Sequence, residues 1–332
     1  MKILFVFTGG TIGSTQKSGV ISFDTTKSYK IINEYEKRYG IDFDYDVREP
    51  YIALSEDNTG DNLRMLVSCV RENLYSGYDG IIVTHGTDTL QYSSAAIGYA
   101  IGLDTIPVCV VSANAPIENE GSNAMDNLRG AVSFIKASLG RGVFTVYRNA
   151  GSDLTFVHRA TRLTGVTAFS DRLDSIFGSA YGYFDRTFDF VKNRDFSELP
   201  DMQAPIDISG LSARSDKIMM LTPYVGMRYP KIDGDVGFVV ISTFHSGTID
   251  TLSPEARGFF AEAGEKNIPL LALGVPKGAG YSGMSLYEDL GIIPIKNIAP
   301  IAAYVKLWML DSLGKGDVIS LVQTSLSGDK VF

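Results

Sequence analysis

The sequence predicts an α/β fold of two domains, in which a parallel sheet is covered by helices on both faces. Short apolar runs predict buried parallel strands over Ile3–Phe7, Gly80–Thr84, Pro107–Ser112 and Val143–Tyr147. The longer segments between them repeat apolar residues at helical spacing and predict helices over Asn62–Leu74, Ser93–Gly102 and Asn127–Ser138. Strand followed by helix, repeated along the chain, is typical of α/β proteins.

A break in this alternation predicts where the domains divide. Residues 192–215 are polar, carry Pro200 and Pro205 and show no periodicity, so we interpret them as a linker. The alternation then resumes over Ile218–Leu221, Val236–Ile241, Pro254–Ala263, Pro269–Gly274 and Pro300–Leu310. We therefore predict a larger domain over 1–191 and a smaller α/β domain over 216–332, which suits a chain of 332 residues.

Composition and charge narrow the class of protein. Apolar residues make up 45% of the chain and charged residues 20%, which is typical of a soluble globular protein. The net charge of −8 argues against nucleic acid as the main partner, because phosphate binding needs a basic face. Cys69 and Cys109 are too few for a disulfide framework, and the three histidines are too scattered to predict a metal site.

The first residues and the apolar runs also bear on localisation. Met1–Phe7 has too short an apolar region for a signal peptide and predicts a core strand instead. No stretch reaches the roughly 18–20 apolar residues that span a bilayer. We therefore expect a cytoplasmic protein with no membrane partner.

Two threonine-rich turns follow predicted strands. Ile3–Phe7 leads into Thr8–Thr11 (Thr-Gly-Gly-Thr), and Gly80–Thr84 leads into His85–Thr89 (His-Gly-Thr-Asp-Thr). Both turns should lie at one edge of the sheet, where ligands of open parallel sheets bind. The first turn matches no phosphate-binding pattern and by itself fits a tight connection. The second places hydroxyls and Asp88 at a helix start, where helix capping is the competing interpretation.

Together, Thr8–Ile12 and Thr84–Thr89 resemble the two motifs of the bacterial-type L-asparaginase and glutaminase-asparaginase family. Ser55–Asp57 and Ala302–Leu307 resemble further segments, so the similarity runs nearly the full length. The resemblance implies hydrolysis of the side-chain amide of L-asparagine to L-aspartate and ammonia, without cofactor. It also implies a homodimer or homotetramer with active sites at subunit interfaces and a small amino-acid amide as substrate.

The resemblance implies roles for particular residues. Thr11 matches the nucleophile, Thr87 the second catalytic threonine and Asp88 the carboxylate that binds the substrate α-amino group. Ser55 matches the residue that holds the α-carboxylate, and backbone groups near Thr87 and Ala113 would form the oxyanion hole and water site. The full set of expected substrate-binding residues is Gly10, Ser55, Glu56, Gly86 and Ala113.

Three positions depart from the family pattern. Val20 stands where the flexible loop usually carries a tyrosine that activates the nucleophile, and Tyr29 is one candidate to replace it. The lysine of the second catalytic triad falls near Arg162, and arginine cannot act as a general base. The usual Asp-Gly before the third long helix is Asn123-Ala124. A threonine hydroxyl needs such activation, so these departures predict a low rate on free L-asparagine.

Three hypotheses stay open from the sequence. The first is an asparaginase-like amidohydrolase that acts on asparagine or on a substituted amide. The second is a weakly active or non-catalytic homologue that binds an amino acid through Thr11, Ser55 and Asp88. The third, an amidotransferase subunit that hydrolyses glutamine for tRNA charging, ranks last because we expect it to have an extra N-terminal domain and a basic face.

Overall fold

The computed structural model describes residues 1–10, 14–17, 20–23, 30–278, 280–314 and 316–331, with the backbone alone for 14–17 and 20–23. It is an α/β structure in which the described strands form an eight-stranded sheet, a four-stranded sheet and two hairpins. The predicted fold class is confirmed.

The helices are α1 Lys30–Tyr39, α2 Gly60–Asn73, α3 Leu90–Ile101, α4 Ala124–Lys136, α5 Pro254–Glu265, α6 Pro300–Leu313 and α7 Val318–Gln323. The first strands are β1 Lys2–Phe7, β2 Ser14–Lys17, β3 Val20–Phe23, β4 Asp44–Arg48, β5 Gly80–Thr84, β6 Val108–Val111, β7 Val143–Arg148 and β8 Thr155–Arg159. The later strands are β9 Leu163–Thr167, β10 Arg172–Ser175, β11 Gly182–Phe184, β12 Phe190–Lys192, β13 Ile218–Leu221, β14 Phe238–Ser242, β15 Leu270–Val275 and β16 Ile292–Lys296.

The large sheet is parallel in one half and antiparallel in the other. Strands β4, β1, β5, β6 and β7 lie side by side in parallel, and β8, β11 and β12 continue the sheet antiparallel. The sequence predicts four of the five parallel strands, β1, β5, β6 and β7, which are continuous apolar runs. It misses the parallel strand β4, because its sequence Asp-Tyr-Asp-Val-Arg is mostly polar and no residue of the strand is buried. Strand β8 includes buried Thr155, His158 and Arg159, and this polar content hides it from a search for apolar runs.

Helices cover both faces of the large sheet. The side chains of β1 alternate between the faces, as in any strand: Leu4 and Val6 pack with α2, α3 and α6, while Ile3, Phe5 and Phe7 pack with α1 and α4. The all-parallel sheet β13-β14-β15-β16 uses one face for α5 and the other for α6. Helix α6 therefore lies between the two sheets, and most of its side chains are buried.

The segment predicted as a linker carries no helix or strand over 193–215. It nonetheless packs closely, because Ile206, Ile208 and Leu211 are buried in the core shared by α2, α3 and α6. The backbone N–H of Ile206 donates to the carbonyl of Tyr99 on α3 at 2.8 Å. The domain boundaries themselves stay a prediction.

Within the described ranges, no helix combines the length and apolar character needed to cross a membrane. Both cysteines are free; Cys109 is buried in β6, and burial raises the pKa of its thiol.

Candidate active site

The order of strands in the large sheet places a crevice at the ends of β1 and β5. From β1 the chain moves outward to β4 on one side, then returns across β1 to β5 and continues through β6 to β7. Connections after β1 and β5 thus leave in opposite directions. Parallel sheets bind ligands at such a reversal, outside the carboxyl ends of the strands. Both threonine-rich turns follow these two strands, as the sequence predicts.

Glycines bring the two turns into backbone contact. Gly9 and Gly10 have φ of +98° and +78°, a region that residues with a side chain rarely adopt. A Cβ atom at Gly10 would lie 2.3 Å from the backbone nitrogen of Gly86, and one at Gly9 would lie 2.4 Å from the carbonyl oxygen of Ala53. The Gly-Gly pair is therefore required for close approach of three segments and is more than a tight connection.

Ser55 and Asp88 meet at this junction. Ser55 begins a short 3₁₀ helix, Ser55–Asp57, and is 4% exposed. Its hydroxyl donates to Asp88 Oδ2 at 3.2 Å and accepts from the Asp88 backbone N–H at 3.3 Å. Asp88 itself is exposed at the edge of the sheet. The structure thus brings together a carboxylate and a hydroxyl that are 33 positions apart in the sequence.

Thr89 connects the same 3₁₀ helix to α3. It is the N-cap residue of α3, yet its side chain makes no capping hydrogen bond. Its hydroxyl instead donates to the carbonyl of Ser55 at 2.7 Å and accepts from Asn58 Nδ2 at 3.1 Å. Helix capping therefore does not explain this threonine; it holds Ser55 against the start of α3.

His85 lies beneath the second turn and is 1% exposed. Its Nδ1 lies 2.8 Å from the carbonyl oxygen of Gly86, which can only accept, so Nδ1 carries the proton. Nε2 then accepts from Ser93 Oγ at 2.8 Å and from Asn58 Nδ2 at 3.2 Å. Burial lowers the His85 pKa, so the ring stays neutral and supports the turn.

We refer to Ser55, Asn58, His85, Asp88 and Thr89 as the edge cluster. The sequence analysis did not identify Asn58 or Ser93, which both donate to His85 in this cluster. Asn58 directly follows Ser55–Asp57, which is the one signal that could have drawn attention to it.

Ala113 lies just beyond β6 and is fully buried. Two reciprocal hydrogen bonds close the loop around it. The backbone N–H of Asn114 donates to Asn123 Oδ1 at 2.9 Å, and the backbone N–H of Asn123 donates to Asn114 Oδ1 at 3.0 Å. Asn123 Nδ2 also donates to the carbonyl of Arg148 at 2.8 Å. Asn123 thus fixes this loop.

Some of the remaining predicted site residues lie at or near the junction of the two turns, and others fall outside the described residues. Gly10 and Gly86 form the backbone contact, Thr87 is half-buried in the second turn and Glu56 is exposed on the 3₁₀ helix. Thr11 and Tyr29 lie outside the described residues. Val20 begins β3, of which only the backbone is described.

Arg162 is engaged away from the edge cluster. It is completely buried, and its Nε donates to the carbonyl of Gly328 at 2.6 Å. Its Nη2 donates to the carbonyls of Ser197 at 2.7 Å and Lys330 at 3.2 Å. The guanidinium also lies over the ring of Phe196, and burial lowers its pKa to about 10. Arg162 therefore anchors the C-terminal segment, and none of these contacts is with Thr87 or Asp88.

Residues 2–188, more than half of the chain, match the model of the family described as asparaginase, N-terminal. The chain belongs to the asparaginase family. Its fold is that of an asparaginase-family amidohydrolase, and the junction of Gly10, Ser55, Gly86 and Asp88 lies within the matched region.

Solved asparaginases share this fold. The L-asparaginase of Thermococcus kodakarensis superposes over the full length of both chains with a TM-score of 0.76 at 19% identity. The superposition with L-asparaginase I of Vibrio cholerae covers 100% of this chain and 99% of the Vibrio protein, with a TM-score of 0.74 at 20% identity.

Similar sequences carry a different name. A glutamyl-tRNA(Gln) amidotransferase subunit of Pyrobaculum aerophilum is 22% identical over 98% of this chain and 79% of its own length. The protein of the same name from Thermofilum pendens is 27% identical, over 93% of this chain and 70% of its own length.

The chemistry available at the site of this asparaginase-family protein comes from hydroxyls and a carboxylate. Asp88 provides a negative charge in reach of solvent. Its backbone N–H and those of Leu90, Tyr92 and Ser93, at the start of α3, are already hydrogen-bonded within the chain. In the part of the chain that is described, no three His, Cys, Asp or Glu residues are grouped to hold a metal ion.

Proposed function

We propose that the protein is an amidohydrolase that hydrolyses the side-chain amide of L-asparagine to L-aspartate and ammonia. The observation that carries this proposal is the contact of Ser55 with Asp88 beside the Gly10–Gly86 junction, in a chain of the asparaginase family. The junction combines groups for both charged ends of an amino acid with the turn that precedes Thr11.

The charges and hydroxyls suggest how the substrate binds. The exposed Asp88 carboxylate pairs with the substrate α-ammonium, and the hydroxyl of Ser55 turns from Asp88 to donate to the α-carboxylate. Backbone groups of Gly10, Glu56 and Gly86 complete the contacts. The half-buried Thr89 and the buried His85 keep the two recognition groups fixed before the substrate arrives.

Thr11 is the proposed nucleophile because it directly follows Gly10. Its oxygen adds to the amide carbon, the carbon–nitrogen bond breaks, and ammonia leaves with the proton from the hydroxyl. Water then hydrolyses the resulting ester, releasing aspartate and restoring Thr11. Thr87 assists this proton transfer, and backbone N–H groups near Thr87 and Ala113 stabilise the oxyanion.

Several finer features belong to the same proposal. We propose a larger domain over 1–191 and a smaller one over 216–332, joined by 192–215. The protein acts in the cytoplasm, without metal or cofactor, as a homodimer or homotetramer whose sites lie at subunit interfaces.

A second candidate is a weakly active homologue, an amino-acid binder or a hydrolase of a substituted amide. The engagement of Arg162 by three backbone carbonyls favours it, because a cation held there cannot assist Thr87. Val20 also favours this candidate, because it stands where the resemblance implies a tyrosine that activates the nucleophile. The names of the similar sequences favour a third candidate, an amidotransferase subunit that takes the amide of glutamine.

The role of Asp88 is tested by Asp88→Asn with two amides. L-asparagine carries the α-ammonium, and succinamate is the same molecule without it. We expect Asp88→Asn to lower kcat/KM for L-asparagine about tenfold or more, and to leave that for succinamate nearly unchanged. Asp57→Asn is the matched control, since Asp57 is an exposed neighbour on the 3₁₀ helix. Equal losses on both amides would remove Asp88 from ammonium binding.

The reaction itself is tested by ammonia release from L-asparagine, L-glutamine and N-substituted asparagines. Thr11→Ala and Thr87→Ala should each lower the rate by several orders of magnitude with an unchanged melting temperature. A fast wild type on L-asparagine supports the first candidate, and selective release from glutamine supports the amidotransferase subunit. Normal turnover in both folded variants would refute the threonine mechanism.

A further inference from the structure

A cavity of about 370 Å³ lies between the start of α2 and α3 on one side and α6 on the other. Its lining residues are Asn58, Thr59, Leu63, Thr89, Tyr92, Ser93, Ala213, Arg214, Ser215, Tyr304 and Trp308. Gly10, Gly86, Asp88 and Ala113 are not part of this lining, whereas Asn58 and Thr89 of the edge cluster are, so the cavity adjoins the candidate active site. We call it the interlayer cavity; its volume is that of a site for a small molecule.

Aromatic side chains form the wall that α3 and α6 supply. The ring centroids of Tyr92 and Tyr304 are 6.0 Å apart at an interplanar angle of 81°, and those of Tyr304 and Trp308 are 6.1 Å apart. The Tyr304 hydroxyl is already bonded to Ser215 Oγ at 2.6 Å, and Trp308 Nε1 donates to Ser212 Oγ at 3.3 Å. The polar ends of both residues are thus satisfied, and their rings offer flat apolar surface to a planar ligand.

The mouth of the cavity carries a positive charge. Arg214 is exposed there, and none of the ion pairs between described residues includes it. A guanidinium at the mouth of an aromatic pocket attracts a carboxylate and can bind it through two parallel hydrogen bonds. The lining therefore combines an aromatic wall with a cation at the mouth.

We propose that the interlayer cavity is a binding site for a small aromatic carboxylate. The ring lies against Tyr92, Tyr304 and Trp308, and the carboxylate pairs with Arg214. Because Asn58 and Thr89 also belong to the edge cluster, the ligand contacts the residues that hold Ser55 in place.

Trp308 provides the test, because it is the only tryptophan in the chain and its fluorescence reports on the cavity directly. The probes are 4-hydroxyphenylacetate and 4-methylphenol, which lacks the carboxylate. We expect 4-hydroxyphenylacetate to change the fluorescence saturably, with a Kd at or below about 1 mM. We expect 4-methylphenol to bind at least about threefold more weakly. Calorimetric titration checks each Kd independently of fluorescence.

Variants assign the contacts. Arg214→Gln should remove the preference for 4-hydroxyphenylacetate over 4-methylphenol, and the exposed Arg194→Gln should keep it. Ala213→Phe should fill the mouth and abolish binding of both probes, with the melting temperature showing that it is folded. The proposal is overturned if the wild type does not bind 4-hydroxyphenylacetate, if both probes bind equally, or if folded Ala213→Phe still binds. None of these measurements depends on amide hydrolysis.

Discussion

Two clusters of polar side chains support this fold, and they differ in how their charges meet water. The edge cluster contains one carboxylate, Asp88, which is exposed. The second cluster lies under the C-terminal segment and consists of Tyr99, Arg162, Lys306 and Asp329; we call it the C-terminal cluster. Its Lys306–Asp329 ion pair, at 2.9 Å, joins two side chains that are both 0% exposed.

The bonds in the C-terminal cluster leave no room for a ligand. Asp329 accepts from Lys306 Nζ and Tyr99 through one oxygen, and from the backbone N–H of Leu326 through the other. Arg162 donates to carbonyls on both sides of Asp329, at Gly328 and Lys330. The comparison teaches that charge alone does not mark a functional site. A charge that is buried and fully bonded fixes the fold, whereas an exposed charge held by buried neutral groups is free to bind a substrate.

The largest effect is expected when the buried ion pair is broken. Asp329→Asn keeps the shape of the side chain but leaves the Lys306 charge without a counter-charge in a site that excludes water. We expect the free energy of unfolding to fall by about 3–5 kcal/mol, measured by urea denaturation. Adding Lys306→Met to this variant should recover part of the loss, because the unpaired charge is removed.

Asp104→Asn is the matched control for Asp329→Asn. It breaks the ion pair of Asp104 with Arg141, whose 2.6 Å distance is short but whose side chains are 95% and 66% exposed. This variant should unfold like the wild type within error, since water screens exposed pairs. Similar losses for both variants would show that burial does not separate the two kinds of charge.

A smaller effect is expected at Arg162, and it tests which cluster this residue serves. One lysine ammonium cannot reach the three carbonyls that Arg162 contacts, so Arg162→Lys should cost about 2 kcal/mol of unfolding free energy. Because the side chain is engaged away from Asp88, the rate of amide hydrolysis should not rise. Arg172→Lys, at an exposed pair, is the control for the change of side chain. A faster reaction in Arg162→Lys would assign this position to catalysis, as the sequence alone suggests.

The smallest effect is expected at Thr89. Thr89→Val keeps the shape but loses the hydroxyl bond to the carbonyl of Ser55, which should cost about 1 kcal/mol of stability. Given the proposed function, KM for L-asparagine should rise about five- to tenfold while kcat changes less, since Ser55 is displaced. Thr164→Val is the control, because its hydroxyl also donates to a backbone carbonyl, that of Asp174, but in an exposed hairpin. An unchanged KM in Thr89→Val would separate the edge cluster from substrate binding.

Local patterns in the sequence were enough for much of the fold. Gly80–Thr84, Ile218–Leu221 and the start of α5 at Pro254 agree with the structure to the residue, because an apolar run or a helix period is a property of neighbouring positions. The antiparallel strands β8, β11 and β12 were missed, because they are short or carry buried polar residues whose partners come from other segments.

By itself, the sequence determined that two threonine-rich turns follow parallel strands and meet at one edge of a sheet, because strand ends and glycine turns are encoded locally. Only the tertiary structure decided what the polar side chains there do. The partners of Arg162 and Thr89 are 166 and 34 positions away. No spacing rule could therefore show that Arg162 anchors the C-terminal segment, or that the side chain of Thr89 holds Ser55 and makes no capping bond to α3. A hydrogen bond is specified by the position of both partners, and for these residues the fold alone supplies the second one.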